Sequence, residues 1–285
     1  MFFDFFSRTE NEAKWCQDLK RCLELASEKG AGSWLTALPL QTLGYVLNKQ
    51  DFRDSLCLRY GWKVPNTPQF CYCKKKNDVD HALICKYGGY VQFRHNKIRD
   101  LEADLLKNVC KDIQIEPQLL PIENAELGSS ISGDKSRLDV SAVGIWSPME
   151  RTFLDVRVVH PNAPSHKKKT IEKLYEENEK EKKRDYNQRV MQVERATFTP
   201  LVFSTTGGMA PECTRYHKKV AQLISTKTKE DYSKVMSHMR TRIRFTLLKS
   251  TLLAIRGERG RTKKTADSIS DLSFNTLPDK QSYEV

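Results

Sequence analysis

Two stretches, Arg137-Leu138-Asp139-Val140-Ser141-Ala142-Val143 and Thr152-Phe153-Leu154-Asp155-Val156-Arg157-Val158-Val159, decide the reading of this chain. Both are short, apolar and β-branched, so they read as strands over 137–143 and 152–159. Side chains two apart on a strand share a face. Leu154, Val156 and Val158 therefore go to a core, while Asp155 and Arg157 project together on the other side.

Working outward, the spacing of Ile98, Leu101, Leu105, Leu106 and Val109 predicts a helix over 94–110, and a short strand and loop follow from Glu116-Pro117. Residues 129–135 read as a polar turn. Downstream, residues 167–194 form a charged helix, largely exposed, and 198–204 a strand running into Thr205-Thr206-Gly207-Gly208. Helices are expected at 211–227 and 231–255, the second burying Met236, Met239, Ile243, Leu247 and Leu248. Helix, three strands, helix, strand and helix make an α/β unit with a mixed sheet flanked by helices. Helices are also expected at 11–30 and around 52–60. The domain reading is a helical segment at 1–65, a compact cysteine unit at 66–93, the α/β domain at 94–256, and a basic, disordered tail at 257–285.

The 285 residues carry 48 Lys+Arg against 36 Asp+Glu, a net +12. The excess is lopsided: residues 1–160 are close to neutral, while residues 161–285 hold 26 basic side chains against 15 acidic ones. Such an imbalance calls for an anionic partner. No apolar run approaches the ~18 residues of a membrane span, and the opening Met1-Phe2-Phe3-Asp4-Phe5-Phe6 does not read as a secretory signal. The eight cysteines lack the density of a secreted disulfide scaffold, so they are expected as reduced thiols in a nuclear setting, or a cytoplasmic one before import.

Four of the soft donors cluster. Cys71 and Cys73 are followed by His81 and Cys85, the ligand set of a tetrahedral structural Zn2+ site. Lys74, Lys75 and Lys76 lie inside the loop, where they favour the thiolates and can meet phosphate. The second constellation is acidic. Asp139 and Asp155, on neighbouring strands, can hold a hard divalent cation, typically Mg2+, which activates water against a phosphodiester. Lys182 and Tyr186 share a face of the charged helix, and His95, Arg99 and Glu102 share a face of the helix after Arg94. Arg240, Arg242 and Arg244 are expected to meet solvent or phosphate, and the Thr205–Gly208 turn offers N–H groups before a helix, an arrangement that can bind phosphate but more commonly is just a tight turn.

Taken in order, Cys71-x-Cys73…His81-x3-Cys85, Arg94-His95-Asn96, Glu116-Pro117, Arg137-Leu138-Asp139-Val140, Asp155-Val156-Arg157-Val158, Lys182-x3-Tyr186 and the segment Phe198–Met209 resemble the C-terminal region of retroelement reverse transcriptase polyproteins, as in site-specific non-LTR retrotransposons. There a CCHC zinc knuckle precedes a restriction-like endonuclease of the PD-(D/E)XK type. The resemblance implies a restriction-endonuclease-like fold, Asp139 and Asp155 as metal-binding acids for Mg2+ or Mn2+, and Lys182, with Tyr186 beside it, as the basic group. Arg157 stands where many members carry that lysine, Leu138 replaces the motif's proline, and Glu102 is the acid of the first helix, with Glu116 its rival. No Tyr-x-Asp-Asp polymerase signature is present in the sequence, so the expectation is a detached or decayed piece of such an element.

Three readings follow. The first is a metal-dependent DNA endonuclease. The second is a catalytically inert nucleic-acid-binding remnant using Lys74, Lys75, Lys76, Arg94, His95, Arg99, Arg240, Arg242 and Arg244. The third is a protein-interaction module. DNA is the expected partner, RNA the alternative, with no membrane and no small-molecule substrate.

Overall fold

The computed structural model describes residues 18–120 and 137–257. The expected turn at 129–135 and the tail beyond Gly257 lie outside these residues.

The sheet has four strands in chain order. β1 (Lys111–Ile115), β2 (Val140–Val143) and β3 (Arg151–Val159) form an antiparallel meander, and β4 (Thr197–Ser204) runs parallel to β3 along its length. Parallel neighbours need a crossover, which is made by a long helix, Ile171–Gln192. The mixed sheet flanked by helices is as the pattern predicted. β4 lies at the sheet's edge, where a strand tolerates Pro200 because a missing N–H costs no ladder bond.

Seven helices are numbered here in chain order after α1, whose described part covers 18–27. They are α2 (Ser33–Thr36), α3 (Lys49–Tyr60), α4 (Val79–Ile84), α5 (Tyr90–Lys107), α6 (Ile171–Gln192), α7 (Pro211–Thr228) and α8 (Tyr232–Arg256). Their ends follow local chemistry. Asn48, Asp78 and Thr170 cap α3, α4 and α6 by accepting N–H groups of the first turn, Gly61 closes α3 at φ +68°, and Pro211 opens α7 where an N–H has no helical partner.

The main core joins Leu154 and Val156 of β3 to Val140 and Ala142 of β2, Ile98, Leu101 and Leu105 of α5, and Tyr216 and Val220 of α7. Val235, Met236, Met239, Ile243 and Leu247 of α8 complete it. The face assignment read from β3 therefore holds. A further cluster joins Val64, Ala82 and Leu83 to Tyr90 and Phe93 of α5 and to Ala254 and Ile255 of α8, so α4 of the cysteine unit docks on the α/β body. On the opposite side of the sheet, Phe153, Phe198, Leu138 and Val190 pack together, with Tyr186 against them.

One expectation about the strands needs correction: the first strand is Lys111–Ile115 and ends where it was expected to begin, at Glu116, where φ is +54°. The Thr205–Gly208 turn is closed by the carboxylate of Glu28, which takes the hydroxyls of Tyr175, Ser204 and Thr206. A Cβ on Gly208 would collide with Glu28 and with the Tyr175 hydroxyl, so glycine is there for close approach of a side chain rather than of phosphate. Among the described residues no helix is long and apolar enough to cross a membrane.

Candidate functional site

The acidic site grows out of the β2–β3 register. Val140, the first residue of β2, pairs with Leu154, and just before it the Asp139 N–H donates to the Leu154 carbonyl at 3.1 Å, which ties Asp139 to β3 next to Asp155. Glu116, just past the end of β1, is tied in turn to Asp139, its N–H donating to the Asp139 carbonyl at 2.9 Å.

Each carboxylate is held differently. Asp139 Oδ2 accepts the Val156 N–H at 2.6 Å, and Oδ1 meets His95 Nε2 of α5 at 2.8 Å. Asp155 is 6% exposed and pairs through Oδ2 with Lys182 Nζ of α6 at 2.7 Å. Burial raises the Asp155 carboxyl above its usual range; Lys182 works against that shift, and the charge of Asp139 adds to it. Lys182 also sits 5.5 Å from the Tyr186 ring centre. That ring leans on Phe198 at 5.8 Å between centroids. Burial, then Asp155, pushes the Tyr186 hydroxyl up as well. Asp139, Asp155, Lys182, Tyr186 and His95 thus converge from the entry to β2 and from β3, α6 and α5.

Three other residues stand apart. Arg157 shares the face of Asp155 but pairs with Glu181 of α6 at 2.9 Å. Glu116 is exposed and engaged by Arg99 and Arg137. Glu102 is fully buried and meets His217 Nε2 of α7 at 2.9 Å, so its carboxylate is spent inside the core rather than on Asp139 or Asp155.

The cysteine site is the tighter of the two. The loop Cys71–Lys75 folds back so that the Cys71 N–H donates to the Lys75 carbonyl, while His81 and Cys85 lie one turn apart along α4 and its C-cap. The four donor atoms all lie within 4.8 Å of one another. Cys71 Sγ and Cys85 Sγ are 3.8 Å apart, Cys73 Sγ and Cys85 Sγ 3.9 Å, and Cys73 Sγ lies 3.2 Å from His81 Nε2. With Zn–S bonds of about 2.3 Å, tetrahedral geometry requires sulfur edges of about 3.8 Å. The two sulfur–sulfur distances match that edge, so this group could bind a metal such as zinc, with His81 Nε2 facing the thiols. Among the described residues it is the one set of three or more His, Cys, Asp or Glu donors so gathered. The three acids at β1–β3 do not form another.

A zinc prediction follows. Protein purified without chelator contains about one zinc per chain by elemental analysis, and Cys73→Ser or His81→Ala lowers this several-fold. Because α4 packs on α5 and α8, the same variants also melt at lower temperature.

The basic residues divide sharply. Lys74, Lys75 and Lys76 are exposed and available to a polyanion. Arg94, in contrast, is 2% exposed and gives its Nη2 to the Leu83 carbonyl, its guanidinium lowered by burial to about 10. Arg244 is likewise inside, bonded to the Ala31 and Thr205 carbonyls, and Arg242 pairs with Asp104. Arg99 is occupied by Asp100 and Glu116, and His95 by Asp139. Arg240 is partly exposed and lines a small cavity with Lys29, Thr214 and His217. Helix α8 is therefore a central packing helix and not a phosphate-facing one. The pairing of His95 with Asp139 and of Glu181 with Arg157 had no signal in sequence spacing.

No family model matches this chain, and none of the curated proteins matches it.

Proposed function

We propose that this chain is a divalent-metal-dependent endonuclease acting on DNA phosphodiesters, with a restriction-endonuclease-like domain behind a zinc knuckle, derived from a retroelement and working in the nucleus. One observation carries the reading: Asp139, at the entry to β2, is tied to β3 through the Leu154 carbonyl beside Asp155, and an ammonium, Lys182, stands 2.7 Å from Asp155. The order α5–β1–β2–β3–α6–β4 matches the helix, three strands, helix and strand read from the sequence pattern.

In this reading Asp139 and Asp155 would hold Mg2+ or Mn2+, which when bound would supply a Lewis acid and activate water. The chain's residues do the rest. His95 and the Val156 N–H fix the Asp139 carboxylate in orientation, leaving further lone pairs on both oxygens. Lys182 neutralises Asp155 when no substrate is present; with that charge compensated otherwise, its ammonium is free to meet a phosphate oxygen. Tyr186 limits where that ammonium can go, because its ring stands beside it.

A specific observation favours the second reading, an inert nucleic-acid-binding remnant. Asp155 already has a cation, both Asp139 oxygens have donors, and the acids do not gather as a metal group. Incubating the purified chain with supercoiled plasmid and Mg2+, Mn2+ or Ca2+ separates the two. Nicking with Mg2+ or Mn2+ but not Ca2+ supports the nuclease. Retained DNA binding with no cut under any ion establishes the remnant.

A further inference from the structure

Residues 55–77 include Arg59, Lys63, Lys74, Lys75 and Lys76 and no acidic side chain. The same stretch leaves rings in water to an unusual degree: Trp62 is 60% exposed and Phe70 68%, and Tyr60 and Tyr72 are exposed beside them. Tyr60 and Trp62 stack on each other at 5.0 Å with planes 29° apart, and Tyr72 meets the exposed Tyr87 at 5.9 Å. Their segments are bound into one body, since Cys57 and Val64 pack with Ala82 and Leu83 of α4. The nearest acids following this stretch are engaged: Asp78 caps α4 through the His81 N–H, and Asp80 pairs with His160.

Neither the metal donors nor the core uses these rings. Flat faces held in water among unopposed lysines suit a ligand that offers both π surfaces and negative charge. Bases in a duplex are already stacked and present mainly phosphate, whereas an unpaired strand presents both.

We propose that Tyr60, Trp62, Phe70, Tyr72 and Tyr87 form a base-stacking surface for single-stranded nucleic acid, with Lys63 and Lys74–Lys76 meeting its phosphates. The surface serves an unpaired strand whether or not Asp139 and Asp155 cut, so it stands independently of the nuclease reading.

Fluorescence anisotropy of the zinc-loaded full chain, without added Mg2+, tests it with labelled oligo-dT, oligo-U and a duplex, each about 20 nucleotides or base pairs. The paired changes Tyr60→Ala/Trp62→Ala and Tyr72→Ala/Tyr87→Ala each weaken single-strand binding about tenfold and leave duplex affinity within about twofold. Tyr60→Phe/Trp62→Phe keeps the rings and keeps the affinity. The tighter of oligo-dT and oligo-U names the natural strand. Equal losses on single strand and duplex, no loss on either, or failure of the phenylalanine pair to bind overturns the surface. Tyr60 and Trp62 are exposed, so that variant keeps wild-type zinc content and melting temperature and decides the matter even if the Tyr72/Tyr87 pair does not fold.

Discussion

Asp155→Asn lowers Mg2+-dependent nicking of plasmid DNA about a thousandfold or more, while binding of the same DNA stays within about threefold. The amide keeps the shape of the carboxylate but not the charge that a hard cation needs. It is a cleaner test than a change at Asp139, whose Oδ2 satisfies the Val156 N–H at 2.6 Å. Asp139→Ala strips that N–H as well, at a cost of about 1–3 kcal/mol. Asp155→Asn, in contrast, strands no backbone group, and its melting temperature falls only by what the lost Lys182 pair contributes. Cleavage that persists in Asp155→Asn sinks the site.

The raised Asp155 carboxyl adds a pH signature. Its folded state holds a proton more tightly than the unfolded chain does, so this group's contribution to stability falls as pH rises from the ordinary carboxylate value of 3.8 through the folded value and is flat above it. Asp155→Asn removes that component of the stability slope, which denaturant titrations at a series of pH values read directly.

Glu102→Leu costs about 3–5 kcal/mol of stability, because it leaves His217 buried without its partner. Burial alone would lower the His217 imidazole, but Glu102 together with the Cys213 carbonyl outweighs it and holds the ring above its usual 6.5. A raised histidine stabilises fully below the unfolded value and loses its contribution as pH rises through the folded one. The gap between wild type and Glu102→Leu is therefore widest in mild acid and narrows at alkaline pH. Glu102→Leu/His217→Phe recovers most of the loss, since an apolar pair of similar volume replaces an ion pair at little net cost. A catalytic Glu102 would behave oppositely, losing cleavage at an unchanged melting temperature.

Much of the architecture was legible because burial imposes period. α5, β3, α6, β4, α7 and α8 carry apolar residues at helical or alternating spacing and lie within a few residues of where that spacing set them. β1 escaped because only its central Ile113 is even partly covered, which leaves Lys111-Asp112-Ile113-Gln114-Ile115 without an inward face to read. The metal donors were legible because they crowd into fifteen residues of one loop and one short helix. The arginines were not. A basic residue beside apolar neighbours reads as surface, yet Arg94 and Arg244 carry their stems inside and cap carbonyls of Leu83, Ala31 and Thr205.

By itself, then, the sequence determined the order of elements, the inward face of β3 and the Cys71–Cys73–His81–Cys85 donor set, all of which depend on residues close in the chain. Tertiary structure alone decided which charge meets which. His95 reaches Asp139 across 44 residues, Glu102 reaches His217 across 115, and Lys182 closes on Asp155 because α6 crosses back over the sheet. Pairings over such separations follow from the packing of apolar faces, which places the charged side chains without leaving any trace in local spacing.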